Sequence, residues 1–178
     1  MLKIFAFSGF VLLLAAGCGK TSSGPGTVEG FKPIYVSESQ AKTIRTTAPR
    51  AIDKAGKILV IGSTLYQVET GVGVHVMNIS NPASPVRQGF IEIGGCQELA
   101  AKGNQLFVNN FNDLVVITPP TPGSITTLTA DRRIANAFPQ ALNSLPLGNR
   151  SYFECPDPAK GIIVGWEPAT LNNPKCRN

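Results

Sequence analysis

The stretch GVHVMNISNPASPV, residues 73–86, decides how this chain is read. Val74, Val76 and Asn78 alternate with His75, Met77 and Ile79, the period of two that sends successive side chains to opposite faces of a strand. Pro82 and Pro85 then end it, because a proline has a fixed φ and no amide hydrogen and does not fit inside a central ladder. Three further strand-length runs surround it: KILVI (57–61), TLYQVE (64–69) and VRQGFIEI (86–93). Gly62-Ser63 and Thr70-Gly71 separate them, and glycine takes the positive φ of a tight hairpin at little cost. The stretch is therefore the third of four strands, and its prolines hand the chain to the fourth.

The pattern occurs twice. GSTLYQVETGVGVHVMNISNPASP, from Gly62, aligns with GNQLFVNNFNDLVVITPPTP, from Gly103. Gly62 matches Gly103, Leu65-Tyr66 matches Leu106-Phe107, and Ile79-Ser80-Asn81-Pro82 matches Ile117-Thr118-Pro119-Pro120. The offset is 41 residues at the start and 38 at the end, so the first copy has the longer middle turn. In the second copy ELAAK (98–102), QLFVN (105–109), DLVVIT (113–118) and SITTLTA (124–130) are the expected strands. A repeat near 40 residues with four short strands is the pattern of a β-propeller blade.

GVHVMNISNPASP and DLVVITPPTP resemble the LVIVD repeat of bacterial envelope proteins, a hydrophobic strand followed by Asp/Asn-Ile-Ser-x-Pro. The flanking frame, FKPIYVSESQAKTIRTTAPRAIDKAGKILV before and GIIVGWEP behind, is similar to lipoproteins of that family from Bacteroidota-like bacteria. The resemblance implies propeller-like blades and an unassigned biochemical role. Asn78 stands where the motif has Asp, and the second copy has Thr118-Pro119-Pro120 for its turn. The expected fold is all-β: two antiparallel four-stranded propeller-like blades, about 57–95 and 96–130, with N- and C-terminal capping segments. Closed propellers need at least four blades, so two leave open edges that invite pairing with other chains. Segments 31–56 and 131–178 are expected to cap those edges. Association of copies into a ring, or a shortened relative of a longer propeller, are the alternatives. In SESQAKTIRTTAP one helical turn is expected, capped by Ser37 or Ser39.

The N-terminus is set apart from the fold. Lys3 precedes an uncharged apolar run at residues 4–16, shorter than the roughly 20 residues that span a bilayer. It ends in LAAGC, residues 14–18, which resembles the lipobox of bacterial lipoproteins, with Ala15 where Leu is usual. That resemblance implies a signal peptide at 1–17 and acylation of Cys18, with membrane lipid as the partner of its acyl chains. The segment 18–30 is Gly/Ser/Thr-rich and reads as a flexible tether. Gly19 in place of the Asp that retains inner-membrane lipoproteins implies the outer membrane, and the absence of an acidic run favours the periplasmic face.

Of the other cysteines, Cys155 and Cys176 bracket the last segment, where a disulfide is expected in an oxidising compartment. Cys96 is left as a small buried apolar residue. The net charge is +5, scattered apart from Arg132-Arg133, which is unlike the basic stripe of a nucleic-acid footprint. No catalytic, cofactor or metal residues are expected. His75, the lone histidine, is read as facing the less buried side of its sheet. Glu92, Glu98, Asp113, Glu154, Asp157 and Glu167 have strand-end or turn roles. GVG (71–73) and IGG (93–95) lead into no helix, and GKTSSG (19–24) follows no strand, so none is a phosphate loop. Trp166 is expected to anchor the C-terminal strand. The functional expectation is an envelope-anchored, non-enzymatic module that binds an envelope protein or glycan. A hydrolase or lyase with its site on blade loops is the alternative.

Overall fold

A computed structural model describes residues 24–119, 121, 123–124, 126–138, 146 and 150–178. Within them the protein is all-β apart from one short helix and a 3-10 turn. β1 (Thr27–Val36) leads through α1 (Glu38–Lys42) to β2 (Ile44–Thr47), β3 (Ala55–Ile61), β4 (Thr64–Glu69), β5 (Gly73–Asn78) and β6 (Val86–Ile93). Then come β7 (Leu99–Lys102), β8 (Gln105–Asn110), β9 (Asp113–Ile117) and two short strands, β10 (Thr127–Leu128) and β11 (Arg132–Ile134). β12 (Tyr152–Phe153), the 3-10 turn (Pro158–Lys160), β13 (Ile162–Asn172) and β14 (Cys176–Arg177) complete the order.

The first repeat is an antiparallel meander, β3-β4-β5-β6, with His75 paired to Gln67 on one side and Phe90 on the other. A Cβ on Gly73 would lie 2.1 Å from the Ile91 carbonyl oxygen, so this strand has to begin with glycine. Two asparagines finish what the prolines begin. The Asn78 Oδ1 accepts the Ser80 N–H at 2.7 Å, and the Asn81 Oδ1 accepts the Ala83 N–H at 3.1 Å. Each side-chain amide satisfies a backbone group that the ladder no longer reaches. β2 and then β10 add to the far side of β6, giving a six-stranded sheet.

The second repeat departs from expectation at its fourth strand. Segment 124–130 was expected to close the second meander, but β10 pairs with β2 of the first sheet, and β11 takes the place beside β9. The cause is a non-local contact. Thr46 donates its N–H to the Thr126 carbonyl at 2.8 Å, and the Thr46 Oγ1 accepts the Thr126 N–H at 2.8 Å. The chain then returns through Asp131, whose N–H reaches the Val116 carbonyl and whose carboxylate accepts from Thr118 Oγ1 at 2.7 Å.

The two sheets share one core. Tyr66, Val68, Val74, Val76, Ile91 and Ile93 project from one face of the first sheet, and Leu99, Leu106, Val108, Val115 and Ile117 from one face of the second. Fully burying a side chain of this size contributes about 1.5–3 kcal/mol. Cys96, fully buried, sits in the same cluster. Burial and the nearby Glu98 push its thiol up to about 12, which keeps it protonated and unreactive.

The terminal segments do less edge-capping than expected. β2 and β11 extend the two sheets, but β1, at the start of the first segment, and β12, β13 and β14, toward the end of the second, form a third sheet, β13-β1-β12-β14. β1 and β13 pair from Thr27↔Asn172 to Val36↔Ile162, with a register shift between Ile34 and Tyr35. Long complementary strands satisfy more backbone groups with each other than with the short edges of the other sheets. Residues 27–30, read as tether, therefore lie within a strand. Phe153 and Trp166 meet edge to face at 5.4 Å, and Cys155 is bonded to Cys176.

Candidate functional site

α1 is a single turn and a half, with Ser37 as its cap. The Ser37 side chain accepts the Gln40 N–H, and the Gln40 side chain accepts the Ser37 N–H at 3.0 Å, a reciprocal capping box. The last carbonyls of a helix lack internal partners, and here the second sheet supplies them. Asn110 Nδ2 donates to the Ala41 carbonyl at 3.0 Å and Arg133 donates to the Lys42 carbonyl at 3.0 Å.

These two residues belong to a wider network. Asn110 Nδ2 also reaches the Gly94 carbonyl at 2.8 Å, and its Oδ1 accepts from Arg133 at 2.8 Å. Arg133 also donates to Asp113 Oδ2 at 2.9 Å, while Asp113 Oδ1 accepts the Asn136 N–H at 3.1 Å. Lys42 Nζ stands 3.6 Å from Asp113 and pairs with Glu38. Burial alone would raise the Asp113 carboxyl; hydrogen bonds from Arg133 and Asn136, with Lys42 nearby, hold it below the usual aspartate range.

The tip of the β8–β9 hairpin is fixed above this network. Phe111 adopts φ +50°, a conformation that bulky residues rarely take. Gly94 and Gly95 make room for it: added Cβ atoms would come within 2.8 and 2.7 Å of the Phe111 ring. Asn109 ties the same loop down, accepting the Gln97 and Glu98 N–H groups at 2.7 Å and donating to the Gly95 carbonyl at 2.8 Å. The IGG run is thus a seat for the hairpin.

Opposite the tip stands the third sheet, and between them lies a cleft of about 530 Å³. Tyr35, Asp157, Ile162 and Ile163 line one side, and Lys42, Phe111, Asn112, Asp113 and Asn136 the other. Tyr35 follows the register shift in β1, and its hydroxyl accepts the Asp157 N–H at 2.7 Å. The Asn112 Oδ1 is shielded from solvent and has no hydrogen-bond partner. A second cleft, of about 430 Å³, is lined by Gln40, Arg45, Glu92, Phe111 and Val164.

The residues singled out in the sequence are distributed otherwise. His75 does lie on the face opposite Val74 and Val76, but it is only 1% exposed, contrary to the outward-facing expectation. Segment 48–54 crosses that face, with Arg50 over the Phe90 ring at 4.9 Å and Phe90 edge to face with His75. His75 Nε2 meets Glu69 Oε2 at 2.9 Å, and Glu69 also accepts the Asp53 and Lys54 N–H groups. His75 lines neither cleft. Among the acids, Glu92 pairs with Arg45, Glu98 with Lys57, Glu154 with Lys160 and Glu167 with Lys32. Asp157 caps the 3-10 turn by accepting the Ala159 N–H at 3.0 Å. Only Asp113 and Asp157 share the larger cleft.

Cys18 and the signal-peptide reading lie outside the described residues. Among the described residues, no group of three His, Cys, Asp or Glu is placed to hold a metal, and no helix is long and apolar enough to cross a membrane. Sequence reading missed the cleft residues Tyr35, Lys42, Asn112 and Asn136. The run NNFND (109–113) was the available signal, since so many amides at a hairpin tip mark backbone-binding turn chemistry. The chain matches no protein-family model, no curated protein and no solved structure.

Proposed function

We propose that this protein is an envelope-anchored binding or scaffolding module without catalytic activity. Acylated Cys18 fixes it to the outer membrane facing the periplasm, and its two meanders are propeller-like blades of LVIVD type. The cleft at the hairpin tip is the observation that carries the binding reading. Its walls come from three separate parts of the chain, and its charged groups already have protein partners. A fixed polar wall of this kind suits recognition, because little has to be reordered when a ligand arrives. The blade reading is supported by the four-stranded meander β3–β6 and the antiparallel sheet β7-β8-β9-β11, whose faces share one core. The lipoprotein reading is supported by LAAGC after an apolar run and by the disulfide between Cys155 and Cys176, a bond characteristic of compartments outside the cytosol.

The test is crosslinking in the intact envelope followed by affinity purification, with an unrelated lipoprotein as control. A component enriched over the control supports the module reading, and none enriched overturns it. The Cys18→Ala chain is expected to leave the membrane fraction; its retention there would remove the acyl anchor.

A further inference from the structure

We infer that the end of the third sheet that carries Arg150, Lys175 and Arg177 rests on an anionic lipid surface. The inference rests on the reading of Cys18 as the lipid anchor and adds which face of the protein meets the membrane.

Reach argues first. A tether running from Cys18 to residue 30, as the sequence reads, would let the domain stand up to about 43 Å away. The chain is held earlier than that. Gly26 donates its N–H to Asn173 Oδ1 at 3.0 Å and accepts the Asn173 N–H at 2.8 Å, and β1 begins at the next residue. However the residues between are arranged, Gly26 lies within about 29 Å of Cys18. That is less than the roughly 40 Å across a domain of this size, so the Gly26 end is the near end.

Charge gathers at the same end. Lys175 follows Asn173 by two residues. Arg177 lies over the Tyr152 ring at 5.1 Å, and Tyr152 pairs with Gly30, about 13 Å along the chain from Gly26. Arg177 Nε also reaches the Arg150 carbonyl at 3.4 Å, which keeps the two arginines together. All three cations are exposed. The chain's 11 Asp and Glu residues all lie among the described residues, and none of them forms an ion pair with Arg150, Lys175 or Arg177. Glu29 accepts from Thr170 Oγ1 at 2.8 Å, while Glu154 and Glu167 are closed on Lys160 and Lys32. Three cations against Glu29 leave this end positive, and an α-carboxylate on Asn178 would still leave it so. Each cation near an anionic leaflet favours the bound state about fivefold, and the anchor makes the contact intramolecular.

A second cationic group lies at the first sheet, where Arg87 donates to the Arg50 carbonyl near Lys54. Asp53 stands beside it, and the chain toward Cys18 does not leave from there. Docking at the third sheet leaves the larger cleft free, since Tyr35 in its wall is nine residues, about 30 Å, beyond Gly26.

The test uses the full-length protein purified from its own envelope and reconstituted into phosphatidylcholine vesicles with or without added phosphatidylglycerol. Acetylation by a water-soluble amine reagent, read by mass spectrometry, reports each lysine. At low salt Lys175 is expected to react about fivefold or more slowly on the anionic vesicles than on the neutral ones. That difference is expected to vanish in about 1 M salt, where the Debye length is about 3 Å. Lys54 and Lys102 are expected to react alike on both. Arg150→Gln combined with Arg177→Gln is expected to return most of the Lys175 reactivity, and the salt series decides should that variant fold poorly. Equal Lys175 reactivity on both vesicles, a difference that survives high salt, or shielding of Lys54 instead overturns the inference. The mass of the purified protein reports the acyl chains separately. Acyl chains present with Lys175 unshielded leave the anchor standing and remove only the docking. No acyl chains overturn both, because the reach argument falls with the anchor.

Discussion

Glu69 is a heavily committed carboxylate, and its neighbours explain why segment 48–54 stays in place. It is 3% exposed and accepts hydrogen bonds from His75 and from the Asp53 and Lys54 backbone. Burial alone would raise its carboxyl; the His75 bond and the two N–H groups overcome that and hold it below the ordinary glutamate range. A carboxyl depressed in the folded state stabilises fully above its unfolded value, about 4.3, and that stability is lost as pH falls through the folded value. Urea midpoints measured from pH 7 to pH 3 are therefore expected to fall on the acid side. Glu69→Gln keeps the shape but removes the charge, so it flattens part of that fall while costing about 1–3 kcal/mol at pH 7. An acid limb of unchanged slope in Glu69→Gln would show that Glu69 does not carry it. Gly95 permits a second residue-scale prediction. It has φ +71° and no room for a Cβ beside Phe111, so Gly95→Ala is expected to cost about 1–3 kcal/mol. The cost appears as a lower thermal midpoint, together with increased mobility of the Phe111 ring in NMR spectra.

Elements differ in how local their instructions are. The meander from β3 to β6 was legible because each turn is encoded where it occurs, in Gly62, in Gly71 and in the Asn-Pro run. α1 was legible for the same reason, through Ser37, one of the two expected caps. β10 was not. SITTLTA has strand composition, but nothing within it specifies that Thr126 meets Thr46, 80 residues away. The third sheet was hidden likewise, since β1 and β13 are distant in sequence and TVEG begins like a linker. At the cleft, Asp113 was visible as an acid, whereas the unpartnered Asn112 is visible only in three dimensions. Thr46→Val tests the non-local contact. It removes the acceptor of the Thr126 N–H, so hydrogen exchange at residues 126–128 is expected to speed up while β5 and β6 keep their protection. Equal loss of protection in both regions would show that β10 is not a separately held element. The disulfide acts on the third sheet. β12 and β14 are two-residue strands, and a crosslink at a separation of 21 residues contributes about 3 kcal/mol in the chain-entropy model. Reduction is expected to open residues 150–178 to protease before the two-meander core is cut.

At the scale of the whole molecule, the question is how three open sheets avoid pairing with other chains. Edge strands recruit partners unless they are short, charged, kinked or covered. β10, β11 and β14 have two or three residues each, too few to template a neighbour. β13 is long, but Pro168 interrupts its donors and its ladder with β1 shifts register. β7 has four residues and ends in Lys102. β3 is the exception: seven residues long, with Ile58 56% and Val60 51% exposed. Its protection is Lys57, whose ammonium reaches Glu98 Oε2 at 2.6 Å beside the start of β7. A charge at this place obstructs a second β3 more than it stabilises the fold, since an exposed pair is worth only about 0–1 kcal/mol. Light scattering on residues 24–178 is therefore expected to give the mass of one chain at micromolar concentration. Lys57→Val leaves the β3 edge apolar and uncharged, and is expected to produce concentration-dependent association with little change in the urea midpoint. Ile58→Lys on that background returns a charge to the same strand and is expected to restore the monomer. If the parent chain itself assembles, or if Lys57→Val stays monomeric at every concentration, the guarded-edge account is wrong, and some other feature decides whether the protein stands alone.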